Sequence, residues 1–398
     1  MDKTQLEFIN ILRQFVSGEA ASLTEESDTK ELLKLGQIHN LTPVLGYALN
    51  GYIESISRGD KSLQTLSNFF LSTVMLQYNR LWSFEALLDE LNKNKIKVVL
   101  MKGCVLNRYY PEKEVRTFGD IDFLVSPDDI NELHNIMLSL GYEHYGVENN
   151  VWGYKKDDQK YEVHTALMPN EEVLSNELKA FISGAYKRCL PTERKYVFVL
   201  EPSYHFVFSL IHIAKHMRAT GAGVRMYLDL ALMIKNEKAL DFDYIQSTAC
   251  KIGFGEFLNS TLQLCWRWFG IKADIDYKPT EEKVLDSMEE YVISAGVFGF
   301  YDRNPAVARI RNSEKGLSKG SALKKYVFPS YKDMKGGYSF LNGRPYLLPV
   351  VWIIRAFDGI FLRRKRASKI FAGMFTEGEN AKATAKMLED IGLGMRLK

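Results

Sequence analysis

The segment Gly119-Asp120-Ile121-Asp122-Phe123-Leu124-Val125 constrains this chain more than any other. Its apolar residues are strand formers, and on a strand residues i and i+2 point to the same face. Asp120 and Asp122 therefore aim two carboxylates the same way. Such a pair repels unless a cation sits between its members. The pattern predicts a divalent ion held by oxygen ligands, Mg²⁺ or Mn²⁺, and with it phosphoryl or nucleotidyl transfer. The competing reading is a solvated turn or a helix-capping cluster, because Asp120 follows a glycine.

The neighbours extend the site. Ser126-Pro127 after the pair reads as an N-cap and first helical position. Ile130, Leu133, Ile136, Met137 and Leu140 then recur at helical spacing up to Gly141. Upstream, Lys97 to Met101 is a short apolar run ending at Lys102-Gly103. A glycine at a strand-to-helix turn admits a ligand close to the backbone, and a following helix would turn free N–H groups toward phosphate. Lys102 adds a charge there. The spacing of a Walker A loop is absent. Downstream, Tyr161 to Leu167 alternates as a strand, so Glu162 and His164 share a face. Glu162 offers a third carboxylate to the metal; an exposed strand residue is its ordinary alternative. His164 can orient a phosphate, act as general base, or sit satisfied at a sheet edge.

Lys102-Gly103, Leu106, Tyr110-Pro111, Arg116, Asp120-x-Asp122 and Glu162-x-His164, in that order, resemble the bacterial nucleotidyltransferase-like family of the DNA polymerase β-like superfamily. The likeness runs from Lys97 to roughly Phe254 and includes His212, His216, Arg225 and Asp229. It implies an α+β fold: a mixed sheet carrying the carboxylates, flanked by N-terminal and C-terminal helical regions. It implies Asp120, Asp122 and Glu162 as metal ligands, with His164 beside them. It further implies Lys102, Gly103, Arg116, His212, His216 and Arg225 around a nucleoside triphosphate. A Lys-Gly stands where better-known members carry Gly-Ser, so a serine contact to the triphosphate does not transfer.

Several of these residues also have plainer readings. Arg116 can pair with Glu112, Glu114, Asp120 or Asp122. His212 and His216, four apart on a helix, share a face; lining of the cleft is favoured over a zinc pair, since no H-E-x-x-H is present. Arg225 and Asp229 have the spacing of an intrahelical ion pair, worth only ~0.3–0.5 kcal/mol.

Composition sets the outer bounds. With 398 residues, 46% apolar and 25% charged, the chain has room for two or three domains. A net charge of +3 neither requires nor excludes nucleic acid. Cys104, Cys189, Cys250 and Cys265 are widely spaced, which fits a reducing cytoplasm and argues against a zinc or disulfide framework. The N-terminus lacks the basic and apolar segments of a signal peptide. No apolar run reaches the ~18 residues of a spanning helix. The closest, Tyr346 to Leu362, contains Pro349, Arg355 and Asp358 and precedes the basic run Arg363 to Arg366; packing on the core is favoured over a membrane surface or a partner.

The chain divides into a helical region 1–95, an α/β catalytic core 96–200 and a mainly helical region 201–398. A helix is expected near Thr42 to Ile56 and a long one over Leu63 to Asn92. A hairpin is expected around Asp157-Asp158, and an edge strand over Arg194 to Leu200. Residues 270 to 345 read as mixed, with a mobile loop. The function expected is metal-dependent transfer of a nucleoside monophosphate to a small molecule, protein or RNA. The alternatives are an inactive nucleotide-binding or regulatory protein, or a toxin or tRNA-modifying enzyme.

Overall fold

The computed structural model describes residues 1–55, 60–148, 150–168, 175–219, 221–296, 328–334, 341, 343–357 and 378–394. Four helices open the chain: α1 (Lys3–Ser17), α2 (Thr29–Ile38), α3 (Thr42–Ala48) and α4 (Asn50–Ser55). Asp2 and Gln5 close a reciprocal capping box at the start of α1. The helix expected over Thr42 to Ile56 is divided at Leu49, where Asn50 and Gly51, both poor helix formers, follow. The long helix, α5, runs Lys61–Lys93 and is capped by Asp60.

A seven-stranded sheet follows: β1 (Val98–Leu100), β2 (Ile121–Val125), β3 (Glu143–Glu148), β4 (Val151–Lys156), β5 (Gln159–His164), β6 (Cys189–Pro191) and β7 (Val197–Leu200). Its order is β3-β4-β5-β2-β1-β7-β6. β2 runs parallel to β5 and antiparallel to β1, while β1 runs parallel to β7. The hairpin at Asp157-Asp158 joins β4 to β5 as expected. The strand expected at the edge, β7, lies one strand in. β6 covers it, and Pro191, which lacks an N–H, sits on that outermost strand.

Between strands lie a one-turn α6 (Gly103–Leu106), α7 (Ile130–Ser139) and α8 (Asn176–Ser183). α7 starts after Asp129, not at Ser126. Ser126 Oγ accepts from the Asp128 N–H at 3.3 Å, and this local bond closes a turn before the helix. Among the later helices, which also include Tyr331–Met334, Leu348–Phe357 and Gly378–Asp390, are α9 (Pro202–Ala219), α10 (Val224–Asn236), α11 (Phe242–Lys251), α12 (Gly255–Phe269) and α13 (Glu282–Ala295). The last of these gives regular structure to part of the stretch read as mixed. The glycine-rich 316–320 and 336–337 and the basic residues 363–366 lie outside the described residues.

Strand alternation assigns the two faces. Ile121, Phe123 and Val125 of β2 pack with Phe84, Leu87 and Leu88 of α5 and Leu133 and Met137 of α7. Leu124 belongs instead to the core formed with α1 to α3 and α9 to α13. Asp122, two residues before Leu124, therefore points toward the helices after residue 201. The N-terminal helices pack on this same helical side: Arg13 Nε donates to the Trp268 carbonyl at 3.0 Å, and His39 Nε2 meets the Ile293 carbonyl at 3.0 Å. No helix among the described residues is long and apolar enough to cross a membrane.

Candidate active site

Parallel register brings the acids together. Asp122 on β2 stands opposite Glu162 on β5, and Leu124 stands opposite His164. Paired residues in a sheet share a face, so two carboxylates separated by 40 positions in sequence lie side by side. Ligand atoms of Asp122, Glu162 and His164 all fall within 4.8 Å of one another, the only such metal-suited group among the described residues. Asp120 stands outside this tightest group. It is exposed, one residue before β2, and so is not on the strand that the alternation predicted. Its charge still acts on Glu162.

The electrostatics follow from that crowding. Burial, then the charges of Asp120 and Asp122, raise Glu162 to about 7. Asp122 goes the other way. Burial opposes its charge, but the Lys102 ammonium and a hydrogen bond from His164 outweigh burial and hold it well below the usual carboxylate range. Lys102 Nζ lies 2.5 Å and His164 Nε2 2.8 Å from Asp122 Oδ1. Burial lowers His164, so its ring is neutral near pH 7. Its Nδ1 is buried without a partner. The proton is therefore best placed on Nε2, where it is donated to Asp122.

The turn at Lys102-Gly103 differs in detail from expectation. α6 is a single turn, so little helix dipole is available to a phosphate. The Lys102 N–H already donates to His205 Nε2 at 3.0 Å. Gly103 is required by a close approach: a Cβ there would lie 2.4 Å from Arg116 Nη1.

Arg116 pairs with none of its four neighbouring acids. It is buried and bidentate on Asp229 of α10, Nε–Oδ1 3.0 Å and Nη2–Oδ2 2.8 Å, and Nη1 donates to the Thr117 carbonyl. Tyr110 donates to the same Asp229 at 2.8 Å. Asp229 is thus taken, and the intrahelical pair with Arg225 does not form. Arg225 Nη1 donates to the Thr117 carbonyl at 3.0 Å, and its Nε is buried without a partner. Burial and then the nearby Arg116 lower it to about 10, still charged at neutral pH.

All ten residues singled out from the sequence line one cleft of about 340 Å³: Lys102, Gly103, Arg116, Asp120, Asp122, Glu162, His164, His212, His216 and Arg225. His212 and His216 stack edge to face with centroids 4.5 Å apart. Burial, then Lys215 and Lys102, lower His216 to about 4; burial and Lys102 push His212 lower than its ordinary value too. Both are neutral cleft walls at pH 7. The carboxylates thus face a wall of cations and neutral imidazoles, which suits an anionic substrate.

Residues 25–270 match the family described as uncharacterised nucleotidyltransferase. The chain belongs to that family. Among solved structures, this nucleotidyltransferase is similar to the antibiotic-resistance factor ANT(2'')-Ia, at 10% identity and TM-score 0.33, over 44% of this chain and 91% of that one. It is also similar to the Megavirus polyadenylate synthase, at 13% identity and TM-score 0.29, over 55% of this chain and 39% of that one. No curated protein matches it.

Two residues of this nucleotidyltransferase escaped the sequence reading. Lys215 lines the cleft one turn from His212, and burial and then Lys102 lower its pKa. Its signal was present, since it lies between the two histidines in sequence. Tyr145 sits at a bulge in β3, half exposed, with its ring over Gly153 of β4; a Cβ on Gly153 would lie 2.2 Å from that ring. Gly153 pairs with Glu162, so Tyr145 borders the acids. Nothing in the local pattern around Tyr145 marks it, because the bulge decides which face it takes.

Proposed function

We propose that this enzyme transfers a nucleoside monophosphate from a nucleoside triphosphate to an acceptor hydroxyl and releases pyrophosphate. The observation that carries this reading is the parallel pairing of Asp122 with Glu162 opposite Lys102, Lys215 and Arg225. Asp120, Asp122 and Glu162 supply the hard oxygen donors that suit Mg²⁺ or Mn²⁺. The raised Glu162 supports the fit, because burial and then the charges of Asp120 and Asp122 disfavour its carboxylate, and a cation between the acids would offset both. A bound divalent ion supplies charge neutralisation at phosphoryl oxygens and eases deprotonation of the attacking hydroxyl.

The residues of the chain do the rest. Lys102, Lys215 and Arg225 bind triphosphate oxygens, whose charge exceeds what one ion offsets. His164 orients Asp122 through its Nε2–H rather than accepting a proton. Arg116 is a positioning residue: it locks Asp229 to the Thr117 backbone and packs under Gly103. His212 and His216 bound the cleft as neutral hydrogen-bonding groups. The acceptor is a small molecule, a protein or an RNA.

The test is transfer from each of the four α-phosphate-labelled ribonucleoside triphosphates, with Mg²⁺ or Mn²⁺, in a lysate of the source cell. Asp120→Asn and Asp122→Asn proteins run beside the parent. Label reaching one acceptor class only with both acids intact is the expected result. The Lys102–Asp122 ion pair favours one second reading, a nucleotide-binding protein without transfer. Calorimetric binding of triphosphate with no labelled product under any condition would select it.

A further inference from the structure

Of the cations Lys102, Lys215 and Arg225, Lys102 is the one ion-paired to the acid group: Nζ lies 2.5 Å from Asp122 Oδ1, the oxygen that also accepts from His164 Nε2 at 2.8 Å. Its backbone is fixed. The N–H donates to His205 Nε2 at 3.0 Å, and the turn at Gly103 closes against Arg116. Motion is left to the side chain, a flexible four-carbon stem ending in a point charge. That side chain is 19% exposed and lines the cleft with Lys215 and Arg225. A lysine thus stands in a left-handed turn that glycine would relax, and strain of this kind clusters at ligand clamps and switch residues.

We propose that Lys102 exchanges partners as the site loads: a divalent ion takes Asp122, and the displaced ammonium turns to the triphosphate. This rests on the reading that the acids hold Mg²⁺ or Mn²⁺ for triphosphate chemistry. Asp122, Glu162 and His164 bring ligand atoms within 4.8 Å of one another, and the ammonium sits against that group. An ammonium and a divalent ion on one carboxylate repel, the more so where water is largely excluded. One must leave, and the ammonium is the one with another place to go. Charge sets that place. Burial and then Lys102 lower Lys215, so the ammonium is already felt at the cationic wall. Arg225 is held in the same cleft by the Thr117 carbonyl. A lysine released toward two cations is disfavoured alone, and favoured once phosphate oxygens lie between them.

Coupling follows from this exchange. Metal alone must drive the lysine among like charges. Triphosphate alone meets the acids unshielded. Together each relieves the other, so metal and triphosphate bind cooperatively through Lys102. Until both are present, the lysine keeps Asp122 compensated. The Lys102–Asp122 pair is then the resting arrangement of a transferase rather than a barrier to transfer.

Mn²⁺ paramagnetic resonance on the full chain, without nucleotide, tests the competition. Lys102→Met should bind Mn²⁺ about tenfold more tightly than the parent, and tripolyphosphate about tenfold more weakly by calorimetry. Lys215→Met should gain much less Mn²⁺ affinity. A gain in Lys102→Met no larger than in Lys215→Met overturns the proposal, because the lysine then acts only through the general field. The unaltered protein gives a second reading that needs no variant to fold. Acetylation of Lys102 by limiting acetic anhydride, located by mass spectrometry, should be slow in chelator and faster in saturating Mg²⁺. It should slow again when tripolyphosphate joins excess Mg²⁺. A rate that Mg²⁺ leaves unchanged overturns the proposal. Binding of Mn²⁺ by neither parent nor variant is a separate outcome: it removes the metal reading of the acids, and this proposal with it.

Discussion

Lys102 sets its ammonium 2.5 Å from Asp122 Oδ1 while its own backbone holds φ 56° and ψ −132°. That left-handed region costs a residue with a side chain ~1–3 kcal/mol, and glycine little. Both side chains are largely buried, at 19% and 12% exposure. Leaving a buried charge unpaired costs ~3–5 kcal/mol. The ion pair outweighs the strain, which explains why lysine is tolerated in a turn shaped for glycine.

Two substitutions separate these terms. Lys102→Met removes the charge and keeps the strain; Lys102→Gly removes both. In chelator, both should unfold at lower urea than the parent. The glycine protein should be more stable than the methionine protein by about 1 kcal/mol or more. Equal urea midpoints for the two would show that the backbone stores no strain.

Glu162 gives a pH signature. Its folded pKa of about 7 lies above its ordinary value of 4.5. The stability it contributes is complete below about 4.5 and is lost as pH rises through 7. Glu162→Gln should remove that contribution, so that from pH 6.5 to pH 8 the metal-free parent loses more melting temperature, or gains less, than the variant. His205 and His216, both lowered to about 4, act oppositely: their stability is lost as pH falls below 6.5. The difference between parent and variant is read for this reason, because the histidine contribution is common to both. Parallel slopes in parent and variant would rule out the raised carboxyl. Divalent-ion affinity should rise over the same interval, read by Mn²⁺ paramagnetic resonance.

The Arg116–Asp229 pair should tolerate little. Arg116→Lys cannot reproduce two parallel bonds in a buried site, and a loss of ~3–5 kcal/mol is expected. Gly103→Ala puts a methyl against the same guanidinium and should cost ~1–3 kcal/mol. Because the two share one contact, their combined effect in urea unfolding should fall short of the sum. Strict additivity would separate the glycine from the arginine.

The cationic wall should act on nucleotide more than on metal. Lys215→Met and Arg225→Met should each weaken triphosphate binding about tenfold, ~1.4 kcal/mol. Mn²⁺ affinity without nucleotide should not weaken. Calorimetry with and without triphosphate reads both, and a variant that loses metal affinity instead would reassign its residue to the carboxylate side.

Much of the site was legible in the chain because strands keep a period of two. That period placed Asp122 on a face and predicted a like-facing Glu162 and His164. Helical spacing grouped His212 with His216, and the same spacing could have included Lys215. It failed where contacts cross the fold. Arg116 had four acids close in sequence, yet its partner is Asp229, 113 positions away. Arg225 and Asp229 had the spacing of an ion pair, but the buried bidentate contact claimed Asp229 first.

By itself the sequence determined which residues carry charge, which stretches alternate as strands or helices, and that two acids before Leu124 require compensation. Local pattern suffices there, because backbone geometry sets side-chain direction over a few residues. Only the tertiary structure decided that β5 lies parallel to β2, so that Glu162 rather than another acid stands beside Asp122. It also decided that Lys102 compensates Asp122 and Asp229 compensates Arg116. Strand order and buried pairing depend on which distant surfaces exclude water together, and that competition is settled by the whole core at once.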